Sequence, residues 1–393
     1  MIETPSKQPS SRLAADKPIL PLHRPTIYGP EMRYVSDTIR ARNFAGDGPF
    51  TRRCERLFER TLGCPRALLT TSCTDAMEMA GLIFRLQPGD EVILPTFTFV
   101  STANAFALRG SKPIFCDIRA DTLNINERLL PQLLSSRTKG IVVVHYSGVA
   151  CEMDAVMEFA AQHGLWVLED NAHGAFGKYR GRWLGTIGQL GALSFHETKN
   201  LQCGEGGALL VNLARLQVDA EVIRDKGTNR GAYQRGKVDK YEWVSLGSSY
   251  VMADILAAFL WGQLECRQIA ARSRRLRWTR YYEALKPWAN SHGIDLPNPP
   301  PHCEHTHHVF YLVMPSRAAR NQFISHLKKS RITAAFHFVP LHDSPMGKTI
   351  GRATLPCPVA QSVSQRLVRL PLYNNMDDQE QKRILDSILD AEI

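Results

Sequence analysis

Leu190-Gly-Ala-Leu-Ser-Phe-His-Glu-Thr-Lys-Asn200 joins an apolar, strand-like run to a polar turn that ends in a lysine, and Gly204-Glu-Gly-Gly207 follows closely. A second stretch, Leu165-Trp-Val-Leu-Glu-Asp170, closes on two carboxylates with Asn171, Ala172 and His173 behind them. A lysine alone says little, because most lysines are solvated. Here a lysine and a carboxylate each follow a buried-looking strand, which is where open α/β sheets bind ligands.

Five more apolar runs surround this pair: ALLTTS (67–72), EVILPTFTF (91–99), PIFCDI (113–118), IVVVHY (141–146) and GALLVN (207–212). Their near-continuous apolarity predicts strands buried on both faces. Helical patterns lie between many of them, as in TDAMEMAGLIFRL (74–86) and MDAVMEFAAQHG (153–164), the latter with Gly164 as its stop. Strand, helix, strand at this spacing predicts an α/β domain around a mostly parallel seven-stranded sheet.

Beyond about residue 213 the pattern changes. IRDKGTNRGAYQRGKVDKYEW (223–243) is polar, basic and aperiodic, as in a long functional loop. A helical stretch, MADILAAFLWGQLECRQIAARSRRLRWTRYYEAL (252–285), then leads into a second domain, and LPNPPPHCEH (296–305) is a loop or linker. FYLVM (310–314) and TAAFHF (333–338) are strand-like and flank the helical RAARNQFISHLKK (317–329), which predicts a small α+β domain. The expected division is a flexible tail over 1–21, a large domain over 22–262 and a small C-terminal domain over 263–393.

Composition narrows the function. The chain has 393 residues, 44% apolar and 22% charged, which are ordinary globular values. No apolar run approaches the ~20 residues of a membrane-spanning helix, and the first twenty residues lack a signal core. Nine cysteines, none in a C-x-x-C pair, argue against a disulfide framework or structural zinc and for a reducing cytoplasm. The net charge is +10, but its densest cluster, RQIAARSRRLRWTR (267–280), has apolar residues at helical spacing. That pattern is a solvated helix face, so nucleic acid is not the expected partner; a basic surface also suits phosphates and nucleotide sugars.

A pyridoxal phosphate enzyme needs a lysine for a Schiff base and a carboxylate against the pyridine nitrogen. It also needs N–H and hydroxyl donors for the phosphate and a flat group over the ring. Lys199 and Asp170 are candidates for the first two. Thr70-Thr71-Ser72-Cys73-Thr74-Asp75-Ala76 sits at a strand-to-helix turn, where free N–H groups would face an anion; alone it reads as an ordinary N-cap, and beside Lys199 and Asp170 as a phosphate site. Ser194 could add a hydroxyl. Phe99 could cover the ring or be a core aromatic, and His173 could face the ring hydroxyl or be structural.

SFHETK (194–199), EDNAH (169–173), TSCTDA (71–76) and PTFTFVST (95–102) together resemble the DegT/DnrJ/EryC1/StrS family of sugar aminotransferases. These are pyridoxal-phosphate enzymes of the aspartate-aminotransferase fold, PLP fold type I. The resemblance runs from about residue 22 to the C-terminus. It is closest to the dTDP-4-amino-4,6-dideoxygalactose transaminases, through FAGDGPFTRRCE (44–55), VSTANAFALRG (100–110), HYSGVACEMD (145–154), DKGTNR (225–230), GSSYVMADI (247–255) and VPLH (339–342).

The resemblance implies Lys199 and Asp170 as catalytic residues, with Ser72, Cys73, Thr74, Asp75 and Ser194 around the phosphate. Phe99 would cover the ring, and His173, at a position often Gln in the family, would face its oxygen. It further implies a homodimer with shared active sites, in which Asn229 reaches the neighbour's cofactor. Asn104, Tyr250 and His342 would be substrate-side residues. Ser249 and Val251 stand where many members carry Asn or Arg, a departure at the intersubunit phosphate contact. The implied reaction moves an amino group from L-glutamate to C4 of dTDP-4-dehydro-6-deoxy-D-glucose, without a metal. Open alternatives are a gluco product, a pentose substrate in an antibiotic or glycan pathway, and a non-catalytic cofactor-binding regulator. Dehydratase relatives carry His at the lysine position, so Lys199 argues against that branch.

Overall fold

The computed structural model describes residues 18–392. All seven expected strands form: β1 (Arg66–Thr70), β2 (Glu91–Pro95), β3 (Lys112–Cys116), β4 (Thr138–Val144), β5 (Trp166–Asp170), β6 (Leu190–Ser194) and β7 (Gly207–Val211). They make one sheet in the order β1-β7-β6-β5-β4-β2-β3. Only β7 runs against the others, pairing antiparallel with both β1 and β6. The apolar runs are continuous because apolar layers cover both faces of the sheet. Leu68, Val92, Leu168 and Leu209 pack on one side, and Leu69, Ile141, Val143 and Leu193 on the other.

The longer helices are α1 (Pro30–Arg40), α2 (Pro49–Leu62), α3 (Cys73–Ile83), α4 (Ser101–Ala107), α5 (Met153–Gln162), α6 (Gln217–Arg224), α7 (Asp254–Glu265), α8 (Arg267–Ser291), α9 (Arg317–Lys329), α10 (Pro358–Arg366) and α11 (Asp378–Leu389). α3 and α5 lie between strands as the periodicity predicts, and Gly164, at φ +63°, follows α5. The parallel run of β1, β5 and β6 brings the chain leaving Thr70, Asp170 and Ser194 to one edge of the sheet. The reversed β7 starts at that edge, with Gly207 registered between Thr70 and Ser194. The link from β6 to β7 must therefore turn at the same edge, and it carries Lys199.

A second core gathers Trp278, Tyr281, Phe310, Phe323, Leu370 and Ile384. Its strands are β8 (Phe310–Val313) and β9 (Leu367–Leu370), paired antiparallel. Four expectations change here. TAAFHF does not form a strand: it meets the sheet only where Ala335 and Arg369 exchange backbone hydrogen bonds (3.3 and 2.7 Å), then leaves it. The residues that follow turn toward the large sheet, where Leu341 N–H meets Thr96 O (2.8 Å); Phe338 lines a cavity wall and Phe336 is left exposed. The single helix expected over 252–285 is two, α7 and α8, which meet at Cys266.

Arg274, placed by its periodicity on a solvated face, is buried. Its guanidinium donates to the carbonyls of His307 (3.1 Å) and His308 and to Asn374 Oδ1 (3.0 Å). Burial draws its pKa down to about 9. Of the expected tail, residues 1–17 lie outside the described residues. Leu20 is held in the second core, with its N–H on Arg331 O (2.9 Å). Among the described residues no helix is long and apolar enough to cross a membrane, and no group of three His, Cys, Asp or Glu is placed to hold a metal.

Candidate active site

A cavity of about 570 Å³ opens between the carboxyl edge of the large sheet and the second core. Asp170 ends β5 on its floor, only 5% exposed. Thr102 Oγ1 donates to Asp170 Oδ2 (2.8 Å) and the Ala172 N–H to Oδ1 (3.2 Å). Burial raises the Asp170 pKa, because the charged form loses water; the Thr102 and Ala172 donors and the Lys199 charge oppose that rise.

Lys199 lines the same cavity. Burial lowers its ammonium pKa from 10.5 to about 8; Cys73 and Asp170 act against that fall, and the cation of Arg369 adds to it. A lysine so displaced is a nucleophile and a proton carrier near neutral pH.

Ser72 is the N-cap of α3, its Oγ accepting the Asp75 N–H (3.0 Å). Ser72, Cys73 and Thr74 at the start of α3 line the cavity together with Ser101 and Ser194, and Thr74 Oγ1 donates to Ser101 Oγ (2.8 Å). A Cβ at Gly207 would stand 2.4 Å from the Ser72 and Cys73 backbone, so only glycine lets β7 approach this turn. Free N–H groups, hydroxyls and the helix dipole make this wall an anion cradle.

His173 is half-buried and accepts the Ser147 N–H on Nδ1 (3.2 Å), which leaves the neutral ring's proton on Nε2. Its ring stacks on His308 at 4.4 Å, and burial holds both far below the usual histidine range. Phe99 sits at the rim, 60% exposed, with Phe338 opposite at 6.3 Å.

The fold thus brings Ser72, Cys73, Thr74, Phe99, Asp170, His173, Ser194 and Lys199 to one cavity. The other expected site residues lie elsewhere. Asp75 borders the cradle but turns its carboxylate to Thr71 Oγ1. Asn104 is exposed on α4. Asn229 is folded into its own loop, bonded to Glu242 N (2.8 Å) and Lys240 O (3.0 Å). Tyr250 places its hydroxyl against Glu78 (3.3 Å), and His342 places Nδ1 against Thr96 Oγ1 (2.7 Å).

Sequence reasoning missed Thr102, His308, Phe338 and Arg369, all in the cavity wall. Thr102 lay within the quoted PTFTFVST motif. The other three come from distant segments, and no local pattern marks them.

The family model for the DegT/DnrJ/EryC1/StrS aminotransferase family matches residues 25–389. The chain is 33% identical over 379 residues to the spore coat polysaccharide biosynthesis protein SpsC of Bacillus subtilis, covering 94% of this chain and 96% of that protein. Among solved structures, the aminotransferase TlmJ from Streptoalloteichus hindustanus superposes with a TM-score of 0.86 at 26% identity, covering 94% and 98% of the two chains. DesV of S. venezuelae, solved in complex with a ketimine intermediate, gives a TM-score of 0.86 at 25% identity and covers 95% and 98%. The architecture is that of PLP fold type I aminotransferases.

Proposed function

The chain belongs to the DegT/DnrJ/EryC1/StrS aminotransferase family, and from that premise we propose that it carries the amino group of L-glutamate to C4 of a nucleotide-linked 4-keto-6-deoxy sugar. The substrate is dTDP-4-dehydro-6-deoxy-D-glucose and the product dTDP-4-amino-4,6-dideoxy-D-galactose. The coarser activity follows from membership: a sugar aminotransferase that uses pyridoxal 5′-phosphate.

The residues present fit that cofactor. Ser72, Cys73 and Thr74 at the start of α3 and Ser194 line the cavity where a phosphate would sit, and Asp170 is a buried carboxylate lining the same cavity. Pyridoxal phosphate, when bound, supplies a carbonyl for the amino group and a protonated ring that takes up electron density.

The chain's own groups do the rest. Lys199 Nζ would hold the cofactor and, when free, would carry the proton at the carbon that gains or loses the amino group. Asp170, itself held by Thr102, would keep the ring nitrogen protonated. Ser72, Thr74 and Ser194 would bind the phosphate, His173 would offer its Nε2 proton to the ring oxygen, and Phe99 and Phe338 would keep water from the ring. The observation that carries the reading is the convergence of Lys199, its pKa brought down to about 8, and buried Asp170 on one cavity.

The enzyme works as a homodimer in this reading. The loop bearing Asn229 exposes Tyr233, Tyr241, Leu246 and Trp243, the last 77% accessible, which is apolar surface a partner subunit would cover. That loop would bring Asn229 to the neighbour's site, with Asn104, Tyr250 and His342 toward the sugar nucleotide.

The test is incubation with dTDP-4-dehydro-6-deoxy-D-glucose and L-glutamate, followed by proton NMR at C4 of the product. A small H3–H4 coupling, from an axial amine, is expected. A large coupling would replace the galacto with the gluco assignment, and activity only on a UDP-linked or pentose substrate would overturn the substrate. Failure of glutamate to bleach the lysine-bound cofactor would favour a non-catalytic regulator.

A further inference from the structure

Asn200 follows Lys199 directly and is hydrogen-bonded at three points to chain far away in sequence. Its Nδ2 donates to Thr306 O (2.9 Å), its Oδ1 meets His308 Nδ1 (2.8 Å), and its backbone O accepts from Asn374 Nδ2 (2.9 Å). Residues 306–308 lead into β8 and Asn374 follows β9, so the turn that bears Lys199 is tied to the second core through Asn200. Asn200 itself does not line the cavity.

The side-chain amide also sets a protonation pattern. Its oxygen can only accept, so His308 Nδ1 carries the ring proton and Nε2 is bare. His173 holds the opposite tautomer, and the two rings stack at 4.4 Å. Thr306 holds the same histidine by its backbone, with Oγ1 donating to His173 O (2.6 Å). Arg274 fixes this segment further, through the carbonyls of His307 and His308. His307, between the two residues that meet Asn200, sits at φ +54°. A non-glycine residue keeps that left-handed backbone only where its surroundings hold it.

We propose that Asn200 is a positioning residue for amino transfer: its side chain clasps residues 306–308 so that Lys199 and His173 are set together against one cofactor. The inference rests on the amino-transfer reading above. Both partners of the amide lead to His173, one by ring stacking and one by the Thr306 hydroxyl, and that convergence separates a clasp from ordinary packing.

Without the clasp Lys199 gains water, and its ammonium, brought down to about 8 by burial, moves back toward its ordinary value. The other titratable and charged groups around it are Cys73 on α3, Asp170 at the end of β5 and Arg369 on β9, with His173, His308 and His337 held neutral by burial. Asn200→Ala removes none of them. The test follows capture of pyridoxal by the full-length apoprotein against pH, read by absorbance with Lys199→Ala as background, and the glutamate half-reaction of the holoenzyme. Wild type should show a midpoint near pH 8. Asn200→Ala should raise that midpoint by roughly one pH unit and lower kcat roughly 10-fold, with KM for L-glutamate within about twofold. His308→Phe keeps a ring against His173 but lacks the donor to Oδ1. It should move the midpoint the same way, and the double variant no further than Asn200→Ala alone. Thermal unfolding checks that each variant is folded. An unmoved midpoint in folded Asn200→Ala, or shifts that add in full in the double variant, would overturn the clasp; where Asn200→Ala does not fold, an unmoved midpoint in His308→Phe overturns it alone. Pyridoxal capture does not need amino transfer, so failure of that reading shows separately, as wild-type holoenzyme that L-glutamate does not bleach.

Discussion

Replacing Lys199 by methionine should stabilise the cofactor-free protein at neutral pH. The ammonium is held in a cavity whose desolvation brings its pKa from 10.5 to about 8. At pH 7 the lysine is charged both folded and unfolded, so the fold bears the full cost of the buried charge. That displacement corresponds to roughly 3 kcal/mol. Water at the cavity mouth screens part of it, which leaves about 2 kcal/mol. The sign follows from linkage. A lysine with a depressed folded pKa is destabilising below about pH 8, and the penalty fades as pH rises from 8 towards 10.5, where the folded form binds fewer protons than the unfolded chain. Lys199→Met removes the charge at similar volume. Urea unfolding of the apoproteins should give a difference of about 2 kcal/mol at pH 7, shrinking towards zero by about pH 10.5. A destabilised variant, or a difference that does not change with pH, would refute the desolvation argument.

Three further outcomes follow from the same geometry. Asp170→Asn removes the carboxylate that keeps the ring protonated; cofactor binding through the phosphate should survive, while kcat for the glutamate half-reaction falls at least about 10²-fold in single-turnover absorbance measurements. Thr102→Val removes a donor that holds Asp170 charged, so the Asp170 pKa should rise further. Because the active carboxylate is then lost at higher pH as acid is added, the acid limb of kcat against pH should move up, and an unmoved limb would count against Thr102. Gly207→Ala drives a Cβ to 2.4 Å from the Ser72 and Cys73 backbone. Equilibrium dialysis should show weakened pyridoxal phosphate binding, and unfolding a loss of roughly 1–3 kcal/mol.

The large sheet was legible because its strands are buried on both faces, and continuous apolar runs such as IVVVHY and LWVLED have few other stable uses. Lys199 and Asp170 were legible for a related reason. Each follows such a run, and parallel strands deliver their carboxyl ends to one edge. TAAFHF was misread because apolar content does not say what a segment packs against: Ala335 makes a single bridge to Arg369, Phe336 is exposed and Phe338 lines the cavity. Arg274 follows the same spacing as its exposed neighbours. Only carbonyls from residues 307 and 308 and the Asn374 side chain make its burial tolerable, and those partners lie far along the chain. Arg369 and His308 were invisible because they join the site through the packing of the second core. Asn104, Asn229, Tyr250 and His342 stood on the resemblance alone, and in this subunit none of them lines the cavity.

The central claim is that Lys199 passes an amino group from an amino acid to a keto-sugar. Incubation of the holoenzyme with L-[15N]glutamate and dTDP-4-dehydro-6-deoxy-D-glucose, read by 15N–1H correlation NMR of the purified sugar nucleotide, tests it most directly. The account predicts the label on C4 with wild type and no labelled sugar with Lys199→Ala. Label transfer undiminished in Lys199→Ala, or a wild-type product without 15N at C4, would contradict it.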